Sequence, residues 1–187
     1  MAKLYFYYST MNAGKSTALL QAAYNYSERG MKTMLFTALL DDRAQGRIAS
    51  RIGIEADAGR FTPATNFWNE CTPSNPSCIL IDEAQFLSKE QEKQLARLVD
   101  ELNIPVMCYG IRTDFQGELF EGSAALLGIA DSLVELKAVC RCGRKATMNL
   151  RVDESGAAVR QGQQTEIGGN DRYVALCRKH FSEALAG

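Results

Sequence analysis

The stretch Ser9-Thr10-Met11-Asn12-Ala13-Gly14-Lys15-Ser16 follows an aromatic, apolar run, Leu4-Tyr5-Phe6-Tyr7-Tyr8, and precedes a helical segment from Thr17 to Arg29 that Gly30 closes. It matches the phosphate-loop pattern G-x-x-x-x-G-K-[ST] except that Ser9 replaces the first glycine. A buried strand, a glycine-lysine loop and a helix in that order are the setting in which such a loop works. Loop and helix N–H groups surround a β-phosphate, Gly14 allows close approach, Lys15 reaches the β- and γ-phosphates, and the Ser16 hydroxyl coordinates Mg²⁺. A serine at the first position gives up the conformational freedom of glycine.

Outward from that loop the chain alternates strands and helices. Lys32 to Thr37, Cys78 to Ile81, Ile104 to Tyr109 and Ser132 to Leu136 read as strands. Ser88 and Gln91 form a capping box, and Leu95, Leu98, Val99 and Leu102 recur at helical spacing. Asp41 to Ile54, with Arg43, Arg47 and Arg51, reads as a charged, irregular and solvated stretch. The fold class expected is α/β: a P-loop (RecA-like) parallel sheet flanked by helices, with right-handed crossovers. Apolar periodicity fades after Lys137, so residues 1–137 read as the nucleotide-binding domain and residues 138–187 as a small zinc-binding C-terminal lobe.

Ile79-Leu80-Ile81-Asp82-Glu83 has the form of a Walker B strand. Asp82 sits where a Mg²⁺ ligand belongs, and Glu83 is placed to activate a nucleophile beside the γ-phosphate. A base that serves water makes an ATPase, and a base that serves a substrate alcohol makes a kinase. Residue chemistry alone leaves both open.

Cys140-x-Cys142 and Cys177-x-x-His180 supply four soft or borderline ligands, a set suited to tetrahedral structural Zn²⁺ with no open position for catalysis. The first pair is tighter than the usual C-x-x-C. Cys71, Cys78 and Cys108 read as ordinary buried thiols. In 187 residues, 46% are hydrophobic and 23% charged, and the formal net charge is -1. That composition excludes disordered and collagen-like chains, and the charge balance gives no electrostatic footprint for nucleic acid or an anionic membrane. No apolar run reaches the roughly 20 residues of a membrane helix, and no secretory leader is apparent, so a cytoplasmic location is expected. Arg141, Arg144, Lys145, Arg178 and Lys179 around the cysteines keep a zinc-bearing nucleic-acid module in view as a third reading.

Three motifs, Tyr7 to Thr17, Asp82-Glu83-Ala84-Gln85-Phe86 and Tyr109 to Phe115, resemble the thymidine kinases of the tetrameric, zinc-containing type. Ile167 to Tyr173 with Cys177 to His180 resembles that family's substrate lasso and second zinc pair. The resemblance runs through nearly the whole chain in order and is nearest to the bacterial branch, where Ser9 and the C-x-C spacing are normal variants. It implies transfer of the ATP γ-phosphate to the 5′-hydroxyl of thymidine, with Glu83 as general base. Ser9, Thr10, Met11, Asn12, Ala13, Gly14, Lys15 and Ser16, with Asp82, Glu83, Ala84 and Gln85, would bind ATP and Mg²⁺. Phe115 would stack on thymine, and Gln164, Thr165, Glu166, Ile167 and Gly168 would present lasso backbone to the base. Tyr173 would close over the nucleoside, and Asp41 and Arg43 would lie near the phosphates. By residue chemistry alone Phe115 reads equally as a core aromatic, and Tyr173 as a surface-packed tyrosine. A homotetramer and feedback inhibition by dTTP also come with the resemblance, and the Gly168-Gly169 segment would act as a lid that excludes water.

Overall fold

The computed structural model describes residues 1–39, 46–165 and 172–187. Asp41, Arg43, Glu166, Ile167 and Gly168 lie outside the described residues, as does Gly169. The elements before residue 137 are β1 (Leu4–Ser9), α1 (Lys15–Ser27), β2 (Thr33–Ala38), β3 (Arg47–Ala49), β4 (Glu55–Asp57), β5 (Gly59–Phe61), α2 (Phe67–Cys71), β6 (Cys78–Ile81), α3 (Lys89–Leu102), β7 (Val106–Ile111), α4 (Glu121–Ile129) and β8 (Ser132–Glu135).

Six of these strands form one sheet in the order β5-β2-β6-β7-β1-β8, and every pairing in it is parallel. The expected α/β class is therefore met. A parallel sheet is covered on both faces, so its central strands must be apolar throughout. β6 is the plainest case: all four of its residues are buried. Alternation along it separates two cores. Ile79 and Ile81 join Phe6, Val106 and Cys108 beneath Leu95, Leu98 and Val99 of α3 and Leu126 of α4. Cys78 and Leu80 join Tyr109 beneath Leu19, Leu20 and Ala23 of α1.

The capping box opens α3 as expected: the Gln91 N–H donates to Ser88 Oγ at 3.3 Å and the Ser88 N–H donates to Gln91 Oε1 at 3.1 Å. From residue 46 onward the charged stretch is less irregular than its composition suggests. β3 pairs antiparallel with β4, and Arg47 bridges Glu55 at 2.7 Å and Asp57 at 3.3 Å across the hairpin. Cross-strand charge pairing on an exposed ribbon accounts for acids and bases that look merely solvated. Burial pushes the thiols of Cys71, Cys78 and Cys108 up, to about 12 and about 11 for the first two, so all three are inert core residues as expected.

Beyond Leu136 the chain builds β9 (Ala138–Val139), β10 (Lys145–Ala146), β11 (Met148–Arg151), β12 (Tyr173–Leu176) and α5 (Arg178–Ala186). β9 pairs with β10, and β11 with β12, both antiparallel. They enclose a core of their own: Cys140, Ala146, Leu150, Leu176, Cys177 and Phe181. No helix among the described residues is long and apolar enough to cross a membrane.

Glu92 in α3 is 1% exposed, and neither carboxyl oxygen has a hydrogen-bond partner among the described residues. Burial, then the charge of Glu121, push its acid up to about 8, with Lys89 acting against them. The folded chain therefore holds a proton that the unfolded chain releases in the ordinary glutamate range, and stability drains away as pH rises between about 5 and about 8. Glu92→Gln removes that proton linkage. Urea unfolding across this window is expected to show a smaller loss for the variant than for the wild type.

Candidate active site

β7 lies between β1 and β6 in the sheet, so the loop after β1 and the turn after β6 flank the carboxyl end of β7. Carboxyl ends of parallel strands are where ligands bind in such sheets. Gly14 caps α1 with φ 81, a left-handed conformation that glycine adopts without steric penalty, and no side chain caps the helix. The first N–H groups of α1 are thus left for an anion. Lys15 is 8% exposed and donates from Nζ to the Thr10 carbonyl at 2.7 Å. Burial lowers its pKa while Glu83 and Asp82 pull it back up. Ser9 ends β1 in extended backbone, and its Oγ donates to the Leu136 carbonyl at 2.6 Å. The positive φ of this loop falls instead at Asn12, with φ 63, and at Gly14. Ser9 therefore gives up no conformation that the loop requires.

Ser16 Oγ donates to Asp82 Oδ2 at 3.0 Å, joining the start of α1 to the end of β6 across the intervening strand. Asp82 is 5% exposed, and burial together with the neighbouring Glu83 charge pushes its acid up to about 7. Ser16, the Glu83 N–H and Lys15 oppose that shift. Such a hydroxyl–carboxylate pair beside a phosphate loop is the donor set that Mg²⁺ takes in phosphoryl transfer. Glu83 follows with φ 53, left-handed in a residue that has a Cβ. Its carboxylate accepts from the Gln85 side-chain amide, and Gln85 Oε1 accepts the Ile111 N–H of β7 at 3.2 Å. Gln85 thereby ties the acid to the sheet.

Cys140, Cys142, Cys177 and His180 bring their ligand atoms within 4.8 Å of one another. Cys140 Sγ stands 3.2 Å from His180 Nδ1, and Cys142 Sγ stands 3.9 Å from Cys177 Sγ. A tetrahedral Zn²⁺ separates its sulfur and nitrogen ligands by roughly 3.5–3.8 Å, so the four residues fit that ion. The tight C-x-C pair works because the chain turns between β9 and β10: the Gly143 N–H donates to the Cys140 carbonyl and the Cys140 N–H donates to the Arg144 carbonyl, both at 2.8 Å.

The remaining expected residues gather where the lobe meets the sheet. Phe115 is fully buried, and the Arg151 guanidinium lies 3.8 Å from its ring centre. Tyr173 accepts from Arg151 Nε through its phenol at 2.8 Å. Gln164 donates to Asp114 Oδ2 at 3.1 Å, and Thr165 lines a cavity of about 1020 Å³ together with Arg151, Gly162 and Gln163. Two residues that the sequence did not single out hold this region. One is Arg151. The other is Asn149, 2% exposed, which accepts the Met11 N–H at 2.7 Å and donates to the Thr113 carbonyl at 3.1 Å. The hydroxyls of Thr10 and Thr113 are buried without a hydrogen-bond partner among the described residues.

The family profile described as thymidine kinase matches residues 2–181. The chain belongs to the thymidine kinase family. Among curated thymidine kinases, that of Novosphingobium aromaticivorans is 71% identical, over 99% of this chain and 99% of its own length. That of Zymomonas mobilis is 65% identical over 99% and 98%. That of Vibrio parahaemolyticus is 60% identical over 99% and 99%. The resemblance of the motifs and the bacterial character expected of the chain are both borne out.

In this thymidine kinase family member the four residues that could hold zinc come from both ends of the lobe: Cys140 and Cys142 before β10, Cys177 and His180 at the start of α5. One ion would close a loop of more than thirty residues that contains β11 and β12, and metal binding would then be folding energy for the lobe. Cys177→Ser is expected to lower bound zinc well below about one ion per chain and to lower the Tm, read by atomic absorption and thermal unfolding. Unchanged metal content would count against the site.

Proposed function

We propose that this chain is an ATP-dependent thymidine kinase that transfers the γ-phosphate to the 5′-hydroxyl of thymidine, giving dTMP and ADP, a step of pyrimidine deoxynucleoside salvage that feeds DNA synthesis. The observation that carries the reading is the coupling of Ser16, Asp82 and Glu83 at the head of the sheet. A cavity on the lobe, lined by Arg151, Gly162, Gln163 and Thr165, is large enough for a nucleoside. Membership of the thymidine kinase family supplies the substrate class.

Phosphoryl transfer asks for positioning and charge neutralisation more than covalent chemistry. Loop residues Ser9 to Ser16 wrap the phosphates with N–H groups, and Lys15 leaves the Thr10 carbonyl to meet the β- and γ-oxygens. Ser16 and Asp82 would hold Mg²⁺, which would supply charge neutralisation for the transferred phosphoryl group. Glu83 takes the proton of the 5′-hydroxyl as the new P–O bond forms and the bond to the β,γ-bridging oxygen breaks to leave ADP, and Gln85 holds Glu83 in place. Phe115, Gln164, Thr165 and Tyr173 form the nucleoside side of the site, with the thymine on Phe115. Cys140, Cys142, Cys177 and His180 would hold zinc as a structural ion, since four protein ligands would leave no open position for catalysis. Residues 1–137 act as the nucleotide domain and 138–187 as the zinc lobe. Cytoplasmic residence, a homotetramer, feedback by dTTP and the absence of a nucleic-acid partner complete the reading; family membership and the net charge of -1 support them.

Incubation with ATP and Mg²⁺ is expected to release ADP only when thymidine is present, with dTMP formed in equal amount. ADP released without thymidine would make the chain an ATPase in which Glu83 serves water. Glu83→Gln is expected to keep ATP binding and to lose turnover by roughly 10²–10⁴-fold, the range of a positioned general base. Near-wild-type turnover in that variant would remove Glu83 from the role.

A further inference from the structure

We infer that Arg151 is the positioning residue of the nucleoside pocket: from β11 it fixes the backbone of Gln163 and Gln164 against Phe115 and Tyr173. The inference rests on the thymidine kinase reading for its substrate, but the geometry stands independently of it.

Arg151 is 4% exposed. A guanidinium taken that far from water is stable only when its donors are met. Nη1 donates to the Gln163 carbonyl at 3.0 Å, Nη2 donates to the Gln164 carbonyl at 3.2 Å, and Nε donates to the Tyr173 phenol at 2.8 Å. The face of the cation lies 3.8 Å from the centre of Phe115. One planar group thus touches two adjacent carbonyls, a phenol and a ring, and charge-assisted bonds of this kind are stronger than neutral ones. A lysine ammonium is a point charge and cannot reproduce the fork.

The same backbone segment is gripped from its other side. Gln164 Nε2 donates to Asp114 Oδ2 at 3.1 Å, and Gln116 Nε2 donates to the Arg160 carbonyl at 2.9 Å. Asp114 Oδ1 is itself fixed by the N–H groups of Gln116 and Glu118, both at 2.9 Å. Residues 160–164 are therefore clamped between the turn after β7 and Arg151. Asn149 and Arg151 lie two residues apart, on one face of β11. The first reaches the phosphate loop at the Met11 N–H, and the second reaches the nucleoside side. A single strand spaces the two halves of the site.

Positioning through Arg151 alone should act on nucleoside affinity and leave ATP affinity intact. Full-length wild type and Arg151→Lys are compared by steady-state kinetics in each substrate, by zinc content and Tm, and by amide exchange of residues 160–165 with and without thymidine. The expected result is a KM for thymidine raised on the order of 10-fold or more, a KM for ATP within about two-fold, and faster exchange in 160–165 at unchanged zinc content. A KM for thymidine within about two-fold of wild type overturns the inference. So does a parallel rise in both KM values with a fall in Tm, the mark of a merely structural residue. If Arg151→Lys does not fold, Tyr173→Phe, which removes only the acceptor of Nε, must speed exchange at 163–164; unchanged exchange there overturns the inference equally. A wild type that makes no dTMP would defeat the thymidine reading, and the exchange comparison would still decide the role of Arg151.

Discussion

The active end of this sheet depends on one turn, Asp82 to Gln85, in which the backbone is forced left-handed at Glu83. A non-glycine residue in that region carries strain on the order of 1–3 kcal/mol and persists only where its surroundings hold it. Here they do. Asp82 Oδ1 accepts the Glu83 N–H at 3.0 Å, and Gln85 spans from the Glu83 carboxylate to the Ile111 N–H. The turn also has no room to relax. A Cβ at Gly110 would stand 2.8 Å from Gln85 Oε1, and one at Gly122 would stand 2.6 Å from the Ala84 carbonyl oxygen. Glycines on β7 and α4 thus let two elements close onto the turn and lock it.

The locked turn makes sense of the burial around it. Asp82 and Lys15 are both withdrawn from water; burial works against the charge of each, and each favours the charged form of the other. A dry site strengthens every charge that later meets phosphate. The lobe adds the second requirement of a kinase, an acceptor held in register with the donor. Asn149 and Arg151 supply that register from one short strand, while the Cys140 to His180 cluster holds the ends of the lobe together.

Much of this could be read from the sequence, because its signals are local. The loop Ser9 to Ser16 carries its chemistry in eight successive residues, β6 is an unbroken apolar run followed by two acids, and the residues that could hold zinc are two close pairs with the chain's single histidine. What stayed hidden is non-local. Met148-Asn149-Leu150-Arg151 alternates apolar and polar residues and so looks like a strand with one solvated face. In the fold that polar face is buried against the phosphate loop and Phe115. α4 escaped for a related reason: Glu121 to Ile129 is rich in small residues with little polar contrast, since Gly122 must approach the Ala84 turn and Ser123 must reach the Ile111 carbonyl. The left-handed Glu83 leaves no trace in a sequence at all.

Gln85 holds Glu83 in aim, and the substitution Gly110→Ala acts on that hold. The added methyl would stand 2.8 Å from Gln85 Oε1 and 3.0 Å from the Gln85 backbone nitrogen, so it displaces the amide that holds Glu83. The variant is expected to fold and to bind ATP as the wild type does but to transfer phosphate to thymidine about 10²-fold more slowly, the scale of a misplacement of about 1 Å. A kcat within about two-fold of wild type would contradict that role of Gln85.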